Sequence, residues 1–243
     1  MNVSSRAPDL SVILPTDTYE TIQPVLEKLR QQTVAHRIEV ILVAPSAEAV
    51  AKASAHEADF AALRIVESAT LSPLAVPRAA GMRAAAAPLI FVGETHSYLH
   101  PDAAEKLMDA AASGPWAVVT PGFENANPAT VLSWASFLGA YGRWSADLPA
   151  GEIPESPLYD SLYRRDVLLA LGERLVSTLS HGDDLRREMQ ARGHRICFEP
   201  AARIEHLNID KPAAWFHEHF LIGLTIGWRR ARQWPWWRRL VYI

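Results

Sequence analysis

The sequence predicts an α/β protein: a mostly parallel central sheet flanked by helices, followed by a helical C-terminal extension. Two observations carry that expectation. Apolar runs of four to seven residues alternate with stretches of helical periodicity over the first 120 residues. Nearly half of the 243 residues are apolar and 21% are charged, which suffices for one sizeable core. Parallel neighbours need crossovers of that length, and helices supply them.

The elements follow in order. Residues 10–14 are an apolar run closed by Pro15, the pattern of a buried strand. Apolar residues at 22, 25, 26 and 29 give 20–32 a helical face. A second buried strand spans 38–44 and stops at Pro45. The Ala-rich stretch 47–62 reads as a helix, and 63–66 as a third strand. Small residues over 77–87 make a helix that leads into a fourth strand at 89–92. Residues 101–112 read as a helix with Pro at its first position, and 116–120 as a fifth strand. Beyond this, 130–144, 166–171, 184–192 and 212–232 have helical spacing, while 195–198 and 202–204 read as short strands. The Pro-rich stretch 145–157 reads as a mobile loop. Residues 1–210 are expected to form one domain and 211–243 an amphipathic helical extension.

Composition excludes some function classes. A net charge of −3 offers no global basic field for nucleic acid. The single Cys197 rules out an internal disulfide and points to the cytoplasm. The first ten residues have no apolar signal-peptide core, and the longest apolar run, 220–228, is too short to span a bilayer. From residue 228 onward there are five arginines, four tryptophans and no acid. This pattern predicts peripheral contact with the inner face of a membrane through 228–243. Packing of the tryptophans onto the protein itself, or onto chain beyond Ile243, is the open alternative.

Four segments carry candidate chemistry. Sheets of this type bind ligands at the carboxyl ends of their strands. Ser11-Val12-Ile13-Leu14-Pro15-Thr16 is a strand running into a turn. Arg78 starts a small-residue helix, where a guanidinium and the helix dipole can meet a phosphate together. The strand 89–92 ends in Gly93-Glu94-Thr95-His96, a carboxylate and an imidazole two residues apart. Such ligands suit Mn²⁺ or Mg²⁺ bridging two phosphates, and the imidazole favours Mn²⁺. Ala202-Arg203-Ile204-Glu205-His206 is a strand that brings a second histidine.

Taken in order, these segments resemble a family 2 glycosyltransferase over residues 8–210. The S-V-I-I-P-T strand is matched by Ser11–Thr16, and the A-R-N-x-G-x-x-x-A helix by Arg78–Ala85. The acidic metal motif D-x-D is matched by Glu94-Thr95-His96. Ser161-Leu162-Tyr163-Arg164-Arg165 looks like the S-x-Y-R-R stretch, with Asp160 before it shaping the turn. The later acidic site is matched by Asp183 and Asp184, ahead of a helix ending at Gly193. The resemblance implies a GT-A fold, a nucleoside diphosphate sugar donor (usually UDP-linked) and inverting transfer. Pro15, Thr16, Asp17, Tyr19, Arg78 and Glu94 would then hold the donor. Glu94, His96 and His206 would hold the metal. Asp183 or Asp184 would be the catalytic base, with His181 as a further candidate. The acceptor would be a glycan or lipid-linked sugar of cell-surface polysaccharide synthesis. The segment after the second strand reads Ala44-Pro45-Ser46-Ala47, where the family has Asp-Asp-Gly-Ser. A non-catalytic GT-A-like module that binds a nucleotide or partner is therefore the alternative. A nucleotidyltransferase would need a Gly-rich basic loop after the first strand, and none is present.

Overall fold

The computed structural model describes residues 7–180 and 182–241, without the side chains of 182–183, 229–230, 233 and 239–241. The chain forms two compact units. The first runs up to Glu124 and resumes at Tyr141–His206; the second comprises Asn125–Ala140 and the residues from Leu207 on.

The first unit is a nine-stranded sheet with helices on its faces. Four strands make the parallel half: β1 (Leu10–Pro15), β2 (Ile38–Ala44), β3 (Ala62–Glu67) and β4 (Leu89–Val92). β1 pairs with β2 and β4, and β2 with β3, all parallel. β1 and β2 are buried at every residue, so apart from Ser11 and Glu39 they read as apolar runs rather than alternating ones. The other half is antiparallel. It contains β5 (Ser97–Leu99), β6 (Trp116–Asn125), β7 (Gly151–Ile153), β8 (Leu162–Arg164) and β9 (Arg195–His206). The spatial order is β3-β2-β1-β4-β8-β6-β9-β5, with β7 also on β9.

Helices α1 (Tyr19–Arg30), α2 (Ala75–Ala84) and α3 (Ala103–Ala112) connect these strands. Thr18 caps α1 by accepting from the Thr21 amide at 3.3 Å. α2 lies unusually close to the sheet because its contact residues are small. A Cβ on Gly81 would sit 2.5 Å from Ile13 Cγ2 and 3.0 Å from Val43 Cγ2. Gly81→Ala would therefore overpack this seam, at a cost of about 1–3 kcal/mol.

A buried glutamate ties the lower end of the sheet to the turn after α2. Glu39 is 1% exposed. It accepts from Ser11 Oγ at 2.5 Å, from the Ala86 amide at 2.8 Å and from Arg64 Nη1 at 3.1 Å. Ser11 Oγ in turn accepts from the Ala87 amide at 3.1 Å. Every oxygen of that carboxylate thus has a donor, as a buried charge requires.

Several expectations change in detail. The sheet is parallel only from β3 to β4. Residues 48–59 form a kinked 3₁₀ stretch rather than an α-helix, with only Val50 and Ala53 buried; alanines give it little apolar face to hold against the sheet. Residues 195–206 make one long strand where two short ones were expected, Pro200 included. The stretch 145–157 is not a free loop, because β7 inside it pairs with β9. Two short helices, α5 (Arg165–Leu169) and α6 (Leu175–Leu179), precede α7 (Gly182–Ala191).

The second unit contains α4 (Val131–Ala140), α8 (Pro212–Gln233) and α9 (Trp236–Val241). Pro235 separates α8 from α9, since proline cannot continue a helix interior. Phe216, Phe220, Leu224, Trp228, Trp236 and Trp237 are all exposed, while Trp234 is half-buried. Among the described residues, no helix is long and apolar enough to cross a membrane.

Candidate active site

The site forms where β4 ends. Gly93 donates its amide to the Ile13 carbonyl at 3.0 Å, just past the paired residues of β1 and β4. The chain then turns through Glu94-Thr95-His96 into β5. Ser97, the first residue of β5, pairs in register with His206, the last of β9. This antiparallel pairing brings two histidines together across 110 residues of sequence. Their ring centroids are 4.7 Å apart, edge to face.

Glu94 is the centre of the cluster. Its Oε2 lies 3.8 Å from His96 Nε2 and 3.7 Å from His206 Nε2. One ligand atom from each of Glu94, His96 and His206 falls within 4.8 Å of the others. Separations of 3.7–3.8 Å are too long for strong hydrogen bonds. They are a few tenths of an ångström wider than the roughly 3.4 Å between tetrahedral ligands of a cation bound at about 2.1 Å, so small side-chain shifts would close the three around an ion. Burial pushes the Glu94 carboxyl up, but His206, His96 and Arg78 outweigh it and hold it below its usual value. The carboxylate is thus ionised at neutral pH, as a metal ligand must be.

Arg78 comes from α2 and is 2% exposed. Its Nη2 donates to Glu94 Oε1 at 3.2 Å, and its guanidinium lies 3.3 Å from the centre of the Tyr159 ring. Nε and Nη1 are buried and have no hydrogen-bond partner among the described residues. Leaving two donors of a buried cation unsatisfied is costly, and an anion would satisfy both.

Three further residues meet here that the sequence reading did not place in the site. Tyr141 donates from its hydroxyl to Glu94 Oε2 at 3.4 Å. Its ring lies 4.3 Å from His206 and 4.4 Å from Phe123. Burial, and then the Glu94 charge, raise its pKa far above the usual range. Tyr159 stacks on Arg78, and burial raises its pKa too. Isolated tyrosines carry no spacing signal, so only the fold reveals them. Asp160 does shape a turn, with a left-handed φ of +54° that aspartate tolerates better than most residues. It is also fully buried; its amide donates to the Val92 carbonyl at 2.6 Å, and its Oδ2 accepts from Ser97 Oγ at 2.5 Å. Burial first, and the Glu94 charge second, push its carboxyl up to about 7.

The first loop is built as a turn. Pro15 closes β1, and the Thr16 amide donates to the Val43 carbonyl at 2.9 Å. Asp17 is exposed, with Oδ1 accepting from the Thr18 amide at 2.9 Å. The Thr21 hydroxyl holds its carboxyl below the usual value. The Tyr19 hydroxyl meets His56 Nε2 at 2.8 Å. The loop after β2 has no acid of its own, but Glu67 accepts from the Ala47 amide at 2.9 Å. Asp184 in α7 accepts from Arg187 Nη2 at 2.9 Å and lines a surface cavity of about 460 Å³ with Arg174 and Glu188. His181 and the Asp183 side chain lie outside the described residues.

No protein-family model matches the chain, and no curated protein matches it. Solved structures do. S. aureus TarS 1–349 superposes with a TM-score of 0.57 at 19% identity, covering 82% of this chain and 60% of that one. The same TarS 1–349 in complex with UDP gives 0.58 at 18% identity, covering 81% and 59%. A longer TarS structure gives 0.58 at 17% identity, covering 83% and 37%. The chain therefore spans under two thirds of each of these structures. At this identity the likeness is one of fold: the chain has the curled mixed sheet and flanking helices of a GT-A glycosyltransferase.

Proposed function

We propose that this chain transfers a sugar from a nucleoside diphosphate donor, with inversion and with help from a divalent cation. The observation that carries this is the convergence of Arg78, Glu94, His96 and His206 at the carboxyl end of β4. A TarS structure of the same fold holds UDP, which makes a UDP-linked donor the first choice.

Glu94, His96 and His206 would hold Mn²⁺ or Mg²⁺, and two imidazoles favour Mn²⁺. The ion, when bound, would neutralise negative charge on the departing diphosphate. Arg78 would give its two unpaired donors to a phosphate, held in position by the Tyr159 ring. Tyr141 would help to orient the Glu94 carboxylate through its long 3.4 Å hydrogen bond. Pro15, Thr16, Asp17 and Tyr19 would border the nucleoside. Asp183 or Asp184 would take the proton of the acceptor hydroxyl. The acceptor would be a glycan or lipid-linked sugar of cell-surface polysaccharide synthesis. The basic, Trp-rich segment 228–243, in which Trp228, Trp236 and Trp237 are exposed, would hold the enzyme at the cytoplasmic face of the membrane.

The test is UDP affinity with Mn²⁺ and with EDTA, together with hydrolysis of UDP-sugars. Mn²⁺ is expected to tighten UDP binding, and His96→Ala to remove most of that gain. Equal affinity in both conditions would refute the metal assignment. Binding without any turnover would favour the non-catalytic module.

A further inference from the structure

The two faces of β9 carry two different clusters. Neighbouring residues on a strand point to opposite faces. His206 faces Glu94, so Glu205 emerges on the other side, paired in register with Tyr98. Two residues on from Tyr98, His100 shares that face; its amide donates to the Arg203 carbonyl at 3.1 Å, and its carbonyl accepts from Gln32 Nε2 at 2.8 Å. Glu124 arrives from β6, next to β9 in the sheet.

We propose that His100, Glu124 and Glu205 form a second divalent-cation site, back to back with the first. One ligand atom from each lies within 4.8 Å of the other two. His100 Nε2 is 3.2 Å from Glu124 Oε2. A His–Glu pair alone explains two of the three residues, and Arg203 at 2.7 Å from Glu124 Oε1 neutralises that one carboxylate. Neither accounts for Glu205, which has no ion-pair partner among the described residues yet holds a second negative charge beside the first. A cation between the three would offset the charge of both carboxylates. One imidazole and two carboxylates suit Zn²⁺ or Mn²⁺ better than Ca²⁺, which prefers six or more oxygens. The ligands come from the entry to α3, from β6 and from β9. An ion here would tie these segments together and stiffen the strand that presents His206. The site does not depend on the chain being a glycosyltransferase.

The test uses Zn²⁺ and the full chain, stripped with chelator, with bound metal counted after gel filtration. His96→Ala/His206→Ala should still bind one Zn²⁺ and melt at a higher temperature with it. Adding His100→Asn and Glu205→Gln to that variant should weaken Zn²⁺ binding by at least about tenfold and abolish the melting shift. Zn²⁺ binding that ignores His100 and Glu205 overturns the proposal, and so does an absence of binding in the first variant. Should the combined variant not fold, Glu205→Gln alone must lower the wild-type count by one equivalent. A count that stays the same is equally fatal. Loss at this site with UDP binding retained separates it from the reading of the first.

Discussion

Arg78 Nη2 and Glu94 Oε1 meet at 3.2 Å from elements sixteen residues apart, with both side chains largely out of water. The contact uses one arm of the guanidinium and leaves Nε and Nη1 for something else. Under the proposed function, a phosphate of the donor would take those two hydrogen bonds.

The first prediction tests that match. Arg78→Lys keeps the charge but loses the planar fork and the stacking on Tyr159. Charge-assisted hydrogen bonds contribute about 1.5–3 kcal/mol each, so UDP affinity should fall by roughly 10–100-fold. Calorimetric titration of both proteins with UDP in Mn²⁺ measures it. An unchanged dissociation constant would mean that Arg78 is a structural partner of Glu94 and nothing more.

Much of this was legible before the structure. Ile38–Ala44 and Leu89–Val92 were bounded correctly because buried parallel strands are near-continuous apolar runs, broken here only by Glu39. Arg78, Glu94, His96 and His206 were legible from local pattern and from their order in the chain. The antiparallel half was harder to read. Ser97–Leu99 is three residues long, too short for any periodicity, and β7 hides among prolines and glycines. Tyr141, Tyr159 and Asp160 reach the site through long-range packing, which no local signal encodes. His100 stands just before the helix expected over 101–112 and carries no signal of its own; only the register of β5 with β9 sets it on the face of Glu205.

Asp160 predicts a pH effect on stability. Its folded pKa, about 7, lies above the ordinary 3.8. The fold therefore binds this proton more tightly than the unfolded chain does. That contribution is complete below about pH 4 and is lost as pH rises through 7. Between about pH 5 and 6.5 the slope should approach about −1.4 kcal/mol per pH unit from this group. Asp160→Asn keeps an acceptor for Ser97 and has nothing to titrate. In denaturant titrations with chelator present, the variant should gain on the wild type as pH rises from 5 to 8. A constant difference across that range would contradict the assignment.

The C-terminal helices predict lipid binding. Arginine contributes about 1 kcal/mol near an anionic surface, and five are present from residue 228 on. The exposed apolar side chains begin earlier, at Phe216, so α8 as well as α9 should contribute. Co-sedimentation with vesicles containing phosphatidylserine should be strong at low salt and weaken as salt screens the arginines. Removing 228–243 should abolish most of it. Equal pelleting of the truncated and full chains would reject this surface as the anchor.

The last prediction concerns the base. An inverting transferase needs a carboxylate on the acceptor side of the anomeric carbon. Asp183 and Asp184 occupy the first turn of α7, and successive helical residues point about 100° apart. They cannot both face one donor. Asp184 already accepts from Arg187 at 2.9 Å, an i,i+3 pair on its own helix. That pairing gives it a structural use, so Asp183 is the better candidate. Asp183→Asn should lower turnover by about 10²–10⁴-fold while UDP affinity holds. Asp184→Asn should stay within a few-fold of the wild type, because a surface ion pair contributes only about 0–1 kcal/mol. The reverse pattern would move the role to Asp184. Full activity in both variants would clear α7 of the chemistry and turn attention to His181, the third group at this helix start able to accept a proton.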